Sequence, residues 1–152
     1  MRVSCLFVCL GNICRSPLAE AALRHEAAGS GLDVHADSAG TGDWHVGSPP
    51  DRRAQAVALR HGIDISTYRA RQVIEADFLR FDHIFALDAD NLRHLKALRP
   101  SHGTAELRLL MDLVPGREGS GVADPYFGDD AGFDITWDDV TRAARAIVKR
   151  LL

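Results

Sequence analysis

The sequence predicts an α/β fold, a three-layer sandwich in which a central four-stranded parallel sheet is flanked by helices. Short apolar runs alternate along the chain with amphipathic segments, which is typical of parallel strands joined by covering helices. The chain has 152 residues, of which 46% are hydrophobic and 26% charged, enough to bury one core. It contains no internal repeat, low-complexity segment or linker, so we expect a single domain over residues 1–152.

Four short apolar segments predict the strands. Val3–Cys9 is almost wholly apolar, as expected of a buried strand. In the second segment, Leu32, Val34 and Ala36 alternate with polar residues, which is the period of a strand. In chain order, the predicted strands are residues 3–9, 32–38, 83–87 and 107–110.

Four longer segments predict helices that connect and cover these strands. Ser16 is placed to cap the first helix with Pro17 in its first turn, and Gly29 ends it. Gly62 follows the second helix, and Pro100 follows the third. In chain order, the predicted helices are residues 16–28, 51–61, 88–99 and 137–150. The long segments predicted as loops are residues 39–50 and 111–135.

Charge and composition exclude several classes of function. A formal net charge of −3 gives no electrostatic reason to expect nucleic acid or an anionic membrane as partner. No apolar stretch approaches the roughly 20 residues of a membrane span. The seven histidines form no close pairs, so we predict neither a metal nor a cofactor.

The cysteines and the N-terminus indicate the compartment. All three cysteines fall within residues 5–14, which is not a disulfide framework and indicates a reducing environment. The first residues imitate a signal peptide, because Arg2 precedes an apolar run, but Gly11 and Asn12 follow at once without a clear cleavage site. We therefore expect a cytoplasmic protein, with export without a signal peptide as the alternative.

The most informative segment is Cys9–Ser16, with the sequence CLGNICRS, between the first strand and the first helix. A strand that turns sharply into a helix directs several backbone N–H groups at one point, where the helix dipole also favours an anion. Cys9 would lie beneath that point as a thiolate nucleophile, and the Arg15 guanidinium would bind two phosphate oxygens. Gly11 and Asn12 permit the backbone conformations of a tight loop. This arrangement is typical of a cysteine-dependent phosphatase.

Two further side chains are candidates for the chemistry. Ser16 either donates a hydrogen bond to the Cys9 sulfur, which would stabilise a thiolate, or serves only as a helix cap. Asp124, followed by Pro125 and two aromatic residues, is a candidate general acid for the leaving oxygen. From spacing alone, Asp-Pro is equally a turn signal.

Four short motifs follow one another along the chain. They are CLGNICRSP at 9–17, SAGT at 38–41 with Trp44 and Gly47 after it, ARQ at 70–72 and DPY at 124–126. With these motifs the sequence resembles the low-molecular-weight protein tyrosine phosphatases over essentially its whole length. The resemblance implies the α/β fold of that family and hydrolysis of phosphotyrosine and other aryl phosphate monoesters.

The resemblance also implies a role for each site residue. Cys9 would be the nucleophile, Arg15 the phosphate clamp and Asp124 the general acid, which then activates the water that hydrolyses a phosphocysteine intermediate. The residues implied to bind the phosphate or the phosphotyrosine ring are Leu10, Gly11, Asn12, Ile13, Cys14, Ser16, Trp44 and Tyr126. No metal or cofactor is implied. Without the resemblance, Trp44 is equally well explained as a packing anchor.

Two positions depart from the family pattern. Many members carry a histidine where Tyr68 stands, and it bonds the asparagine of the loop; Tyr68 would do so through its hydroxyl or not at all. Many members also carry a second tyrosine where Phe127 stands. Asp88 and Asn91 resemble family positions too, and for them we expect helix capping and loop support.

Cys14 has two interpretations. In the family the matching residue can form a reversible disulfide with the nucleophile, so peroxide would oxidise Cys9 to a sulfenic acid that Cys14 traps. The alternative is a small buried residue that supports the loop.

Three other functions share some of these features. Asp88-x-Asp90 after an apolar strand faintly resembles a magnesium-dependent aspartyl-phosphate phosphatase. Arsenate reductase shares the fold and the loop, but it needs resolving cysteines, and the chain has none after Cys14. A non-catalytic module that binds phosphotyrosine or another oxyanion would need neither Cys9 nor Asp124.

The resemblance finally suggests partners. The substrate would be a tyrosine-phosphorylated protein, for example a bacterial tyrosine kinase of polysaccharide export. The oligomeric state expected from the resemblance is a monomer or a weak homodimer.

Overall fold

A parallel sheet with strand order β2-β1-β3-β4 forms the centre of the computed structural model, which describes residues 2–152. In chain order, the strands are β1 (Val3–Cys9), β2 (Val34–Gly40), β3 (His83–Ala86) and β4 (Glu106–Leu109). The helices are α1 (Arg15–Ser30), α2 (Arg52–Arg60), α3 (Asp77–Arg80), α4 (Ala89–Leu98) and α5 (Asp130–Leu151), and a 3-10 turn (Leu110–Leu113) follows β4. The fold class predicted from the sequence is confirmed.

The central strand β1 is apolar because both of its faces are covered. Cys5 and Phe7 belong to a core shared with α1, α2 and α5, whereas Leu6 and Val8 belong to a second core shared with α3 and α4. Burial of each such side chain stabilises the fold by about 1.5–3 kcal/mol. Helices on both faces of the sheet produce the three layers, and they explain the uninterrupted apolar run at the start of the chain.

The first helix does not begin as predicted. α1 starts at Arg15, and Cys14 occupies the cap position without a side-chain hydrogen bond to the helix. The prediction that Ser16 caps this helix is therefore wrong. The helix also runs through Gly29 and ends at Ser30, and Gly31 caps it with a φ of 81°, a left-handed conformation that glycine adopts at little cost. As a result β2 begins two residues later than expected, at Val34.

Other boundaries shift in the second half of the chain. α5 begins at Asp130 rather than at Trp137, because Asp129 caps it by accepting a hydrogen bond from the Gly132 N–H at 3.3 Å. The helix α3 and the 3-10 turn were not predicted, since each is only four residues long. The capping role expected of Asp88 is confirmed, because its carboxylate accepts from the Asn91 N–H at 2.8 Å.

All four strands are parallel, so their carboxyl ends lie at one edge of the sheet, where β1 ends at Cys9. Open parallel sheets bind ligands at this edge. Among residues 2–152, no helix has the length and apolar character needed to cross a bilayer. The same residues contain no group of three or more His, Cys, Asp and Glu side chains arranged to hold a metal ion.

Candidate active site

An open pocket lies at the carboxyl edge of the sheet, above the end of β1. The residues that line it are Cys9, Leu10, Gly11, Ile13, Cys14, Arg15, Trp44, His45, Asp124, Tyr126 and Phe127. Two segments face each other across it, the cysteine loop (residues 9–16) and the aspartate loop (residues 121–128). Most of the residues predicted from the sequence line this pocket, whereas Asn12 and Ser16 lie beneath its floor.

The cysteine loop packs very closely against the end of β2. The N–H groups of Thr41 and Gly42 donate to the carbonyls of Cys9 and Leu10 at 2.8 and 2.9 Å. A Cβ atom on Gly40 would lie 2.8 Å from the Leu10 carbonyl oxygen and 3.2 Å from the Asn12 nitrogen. Only glycine fits at position 40, because any side chain would push the loop away from β2.

Asn12 fixes the shape of the cysteine loop. Its φ of 58° is left-handed, a conformation that asparagine tolerates better than most residues. Its side-chain amide donates to the Ser16 hydroxyl at 2.8 Å and accepts from the Arg71 backbone N–H at 3.0 Å. Within residues 2–152, Tyr68 makes no hydrogen bond to Asn12; its ring lies instead beneath the Arg24 guanidinium, 5.2 Å away. The hydrogen bond to Asn12 that was considered for the Tyr68 hydroxyl is therefore supplied by the Arg71 backbone N–H.

The sulfur of Cys9 receives two contacts within the loop. The Ser16 hydroxyl lies 3.0 Å from Sγ, and the Asn12 N–H donates to Sγ at 3.3 Å. Ser16 Oγ accepts from the Asn12 amide, so its own proton can be donated to the sulfur or to the Ala39 carbonyl, which is farther away at 3.4 Å. Of the two roles considered for Ser16, the contact with sulfur is the one present. Both contacts favour a negatively charged sulfur.

Several backbone N–H groups of the cysteine loop have no acceptor among residues 2–152. They are those of Gly11, Ile13, Cys14, Arg15 and Ser16. The N–H groups at the start of a helix have no intrahelical partner, and together with the helix dipole they form a site for an anion. An oxyanion above Cys9 would fit this arrangement.

Arg15 belongs to the cysteine loop, extends its side chain to the aspartate loop and is 3% exposed. Its Nη1 donates to the Asp88 carboxylate at 2.6 Å and to the Val122 carbonyl at 2.9 Å, and its Nη2 lies 3.8 Å from the Asp124 carboxylate. Burial lowers the pKa of Arg15, but Cys9, Asp88 and Asp124 more than compensate and raise it above its ordinary value. The guanidinium therefore remains charged in a buried position.

The aspartate loop forms the opposite side of the pocket. The Asp124 carboxylate accepts from the Tyr126 N–H at 3.1 Å and is 40% exposed, so it can reach a ligand in the pocket. The ring of Tyr126 packs edge-on against Phe127 at 4.9 Å and lies 6.5 Å from the His45 ring. Together with Trp44, these rings form walls suited to a flat aromatic group.

The three cysteines are free thiols, and Cys14 is buried in the same loop as Cys9. Burial raises the pKa of the Cys14 thiol well above its usual range, and Asp51 adds to this effect. Cys14 is thus a neutral thiol at physiological pH.

Several residues that shape the site were missed by the sequence analysis. His45 stands beside Trp44 but carries no motif of its own. Arg71 acts through its backbone N–H, and Val122 through its carbonyl, so neither side chain could have indicated the contact. Asp51 and Arg53 join the two loops, as described below. Asp88 was considered for helix capping, for loop support and as part of a magnesium-dependent phosphatase motif, and Arg71 only as part of the ARQ motif.

Comparison with known proteins agrees with this geometry. Residues 4–152 match the family model described as low molecular weight phosphotyrosine protein phosphatase. The chain belongs to this family.

Its curated relatives include the low molecular weight protein-tyrosine-phosphatase YfkJ of Bacillus subtilis, 46% identical over 82% of this chain and 81% of YfkJ. Among solved structures, a protein tyrosine phosphatase from Entamoeba histolytica superimposes with a TM-score of 0.92 at 34% identity, covering 98% of this chain and 96% of that one. The Drosophila arginine phosphatase DARP superimposes with a TM-score of 0.89 at 35% identity, covering 96% of each chain. These relatives are phosphatases, and the chain is an enzyme of the protein-tyrosine-phosphatase family.

Proposed function

We propose that residues 1–152 act as one phosphatase domain that hydrolyses phosphotyrosine in proteins at the pocket between the cysteine and aspartate loops. The observation that carries this proposal is the position of Arg15. Its charged guanidinium extends from the cysteine loop toward the Asp124 carboxylate. A nucleophile, a phosphate-binding cation and a carboxylic acid thus surround one space.

In the first step, Cys9 Sγ attacks the phosphorus in line with the leaving oxygen. The S–P bond forms as the P–O bond to the tyrosine ring breaks, and Asp124 donates a proton to the departing phenoxide. Arg15 and the free N–H groups of the cysteine loop stabilise the charge on the phosphoryl oxygens. The repulsion between a thiolate and a phosphate dianion is thereby offset.

In the second step, water hydrolyses the phosphocysteine. Asp124, now a carboxylate, accepts a proton from the attacking water while the S–P bond breaks. The Ser16 hydroxyl, 3.0 Å from Sγ, stabilises the departing thiolate. Inorganic phosphate leaves and Asp124 is protonated again. The residues described require no metal or cofactor for these steps.

The pocket lining supports an aryl ester over other phosphate compounds. Four of the lining residues are apolar or aromatic: Leu10, Ile13, Trp44 and Tyr126. They suit the phenyl ring of phosphotyrosine better than the guanidinium of phosphoarginine. A phosphoserine side chain is shorter than that of phosphotyrosine, so these walls would keep its phosphate from the floor of the pocket. The similarity to an arginine phosphatase makes phosphoarginine the comparison substrate of choice.

The test is hydrolysis of p-nitrophenyl phosphate in EDTA by the parent, Cys9→Ser and Asp124→Asn. We expect activity in the parent and none in Cys9→Ser. For Asp124→Asn we expect a loss of about 10²- to 10⁴-fold with phenyl phosphate, whose leaving group needs a proton, and a smaller loss with p-nitrophenyl phosphate. Activity that depends on added magnesium would instead point to Asp88. Peptides with phosphotyrosine, phosphoserine and phosphoarginine then define the substrate, and a preference for phosphoarginine would overturn the tyrosine assignment.

The physiological setting is part of the proposal. A tyrosine-phosphorylated protein in the cytoplasm, such as a bacterial tyrosine kinase, fits the chemistry of the pocket, and the enzyme would act as a monomer or weak homodimer.

Under peroxide, Cys14 would trap a Cys9 sulfenic acid as a disulfide and release water. If Cys14→Ser recovers from peroxide with added thiol as fully as the parent, Cys14 has no protective role.

A further inference from the structure

Two residues of the loop and helix after β2 connect the two sides of the active site. The Asp51 N–H donates to the carbonyl of Ile13, in the cysteine loop, at 2.8 Å. The Asp51 carboxylate accepts from Arg53 at three donors: the backbone N–H at 2.8 Å, Nε at 3.0 Å and Nη2 at 3.0 Å. The orientation of the Arg53 guanidinium is therefore tied to the cysteine loop.

The other face of the Arg53 guanidinium contacts the aspartate loop. Nη2 donates to the Tyr126 carbonyl at 2.8 Å, and Nη1 donates to the Gly128 carbonyl at 3.0 Å. The same group lies over the rings of Tyr126 and Phe133, at 5.7 and 4.6 Å from their centres. Such a planar fork holds two acceptors in fixed directions, which a lysine ammonium does not.

These contacts matter because little else holds this part of the aspartate loop. Within the described part of the chain, Arg53 supplies the only hydrogen bonds from outside to residues 124–128. The remaining bonds are local: the Tyr126 N–H donates to the Asp124 carboxylate, and the Gly128 N–H donates to the Pro125 carbonyl. Apart from the Arg15 Nη2 ion pair with the Asp124 carboxylate at 3.8 Å, the position of this carboxylate relative to the rest of the site thus depends on Arg53.

We propose that Arg53 is a positioning residue that holds Asp124 at the distance from Cys9 required for proton transfer to the leaving group. It does so through the carbonyls of Tyr126 and Gly128, and Asp51 links it to the cysteine loop. The inference rests on the proposed role of Asp124 as general acid. A general acid displaced by a fraction of an ångström transfers its proton poorly, while binding of phosphate to the cysteine loop is unaffected.

This role has a signature that mere stabilisation of the fold lacks. Loss of proton transfer slows substrates with a poor leaving group, such as phenyl phosphate, more than p-nitrophenyl phosphate, whose phenoxide leaves without much assistance. The effect is visible in kcat/KM, which reports the steps up to cleavage of the P–O bond.

The experiment compares Arg53→Met, which retains an apolar stem over Phe133, with Arg52→Met as the matched control. Arg52 is the preceding residue of the same helix, is exposed and makes no hydrogen bond or ion pair among residues 2–152. For Arg53→Met we expect kcat/KM for phenyl phosphate to fall about tenfold, with a smaller fall for p-nitrophenyl phosphate and inhibition by inorganic phosphate unchanged within about twofold. Arg52→Met should match the parent.

Combination with Asp124→Asn tests whether Arg53 acts through Asp124. Once the acid is gone, Arg53→Met should cause no further loss, so the two effects should not add. Equal losses in both backgrounds, or equal losses for both substrates, would overturn the proposal. If Asp124→Asn is as active as the parent, the proposed acid itself is wrong. Arg53→Lys, which keeps the charge but not the fork, should show the same dependence on the leaving group if Arg53→Met fails to fold.

Discussion

The cysteine loop and the aspartate loop face each other across one pocket, but they are held in different ways. In the cysteine loop, Cys9, Asn12 and Arg15 are each 3% exposed, and their contacts lie beneath the pocket. In the aspartate loop, Tyr126 is 38% exposed and Phe127 is 93% exposed. The floor of the cysteine loop is part of the core, whereas the aspartate loop is buried at Val122 and Pro125 and reaches the surface at residues 126–128.

This difference matches the functions that we propose for the two loops, which are phosphate binding for the cysteine loop and proton transfer for the aspartate loop. Binding of a phosphate dianion requires N–H groups and a cation that are oriented before the substrate arrives. Delivery of a proton and entry of an aromatic ring require a segment that is open to solvent. Unpairing buried hydrogen bonds is costly, whereas exposed contacts contribute little. Substitutions in the cysteine loop should therefore reduce stability and activity together, and those in the aspartate loop should change activity alone.

The largest effect is expected for Asn12→Ala. The Ser16 oxygen would lose the donor from the Asn12 amide, and the Arg71 N–H would lose its acceptor. Because alanine would also have to adopt the left-handed conformation, the free energy of unfolding should fall by about 3 kcal/mol. We also expect kcat/KM to fall by about 100-fold. Urea unfolding and p-nitrophenyl phosphate kinetics measure the two effects.

Asn12→Gly is the matched control, because glycine adopts the left-handed conformation without strain. It should recover about 1 kcal/mol of the lost stability but little of the activity. If Asn12→Ala loses activity at unchanged stability, the cysteine loop is not held by its buried contacts, and the contrast between the loops fails.

The next effect is a pH dependence that originates beneath the cysteine loop. Burial raises the pKa of Glu20 to about 7, although the Ser38 hydroxyl at 2.7 Å and Arg24 at 2.8 Å oppose this. A carboxyl that binds its proton more tightly in the folded chain than in the unfolded chain stabilises the fold at low pH. The free energy of unfolding should therefore fall as the pH rises from about 4.5 to about 7 and then level off.

Glu20→Gln removes this titration and keeps an acceptor for Ser38. Relative to the parent, the variant should gain about 2 kcal/mol in stability between about pH 5 and about pH 8. The difference between the two proteins cancels the titration of all other groups. A difference that does not change with pH would mean that Glu20 is ionised throughout this range.

A third effect concerns the close approach of β2 to the cysteine loop. In Gly40→Ala the new methyl group would lie 2.8 Å from the Leu10 carbonyl oxygen, and the resulting displacement should cost about 1–2 kcal/mol and reduce kcat/KM about tenfold. Gly29→Ala, in α1, meets nothing within 4 Å and should stabilise the protein by about 0.5–1 kcal/mol. Thermal unfolding measures the stability of both variants. A Gly40→Ala variant as stable as the parent would contradict this account.

The same contrast explains what the sequence could predict. The cysteine loop is contiguous, so its strand, turn and helix were predicted together with Cys9 and Arg15. The contacts that hold it were not, because Arg71 acts through a backbone N–H and Gly40 through the absence of a side chain. The start of α5 was missed because the stretch from Asp130 to Asp134 contains Gly132 and has the composition of a loop.

Ser16 shows how a local rule fails where function intervenes. Ser-Pro is a common start of a helix, and the sequence therefore predicted a cap. In the structure the Ser16 hydroxyl contacts the Cys9 sulfur and the Asn12 amide, so the helix begins one residue earlier without a side-chain cap. Arg53 was missed for a different reason, since its partners Tyr126 and Gly128 lie more than 70 residues away.

The smallest effect is expected at the rim of the aspartate loop. Phe127 is 93% exposed and touches the site through the ring of Tyr126, so Phe127→Ala should change the free energy of unfolding by less than about 0.5 kcal/mol. Loss of the Phe127 ring weakens contact with the phosphotyrosine ring of the substrate equally in the bound ground state and in the transition state. KM for a phosphotyrosine peptide should therefore rise about threefold at unchanged kcat. Inhibition by inorganic phosphate, which has no ring, should stay the same. A fall in kcat would show that Phe127 supports Asp124, and the aspartate loop would then depend on more than Arg53 for its position.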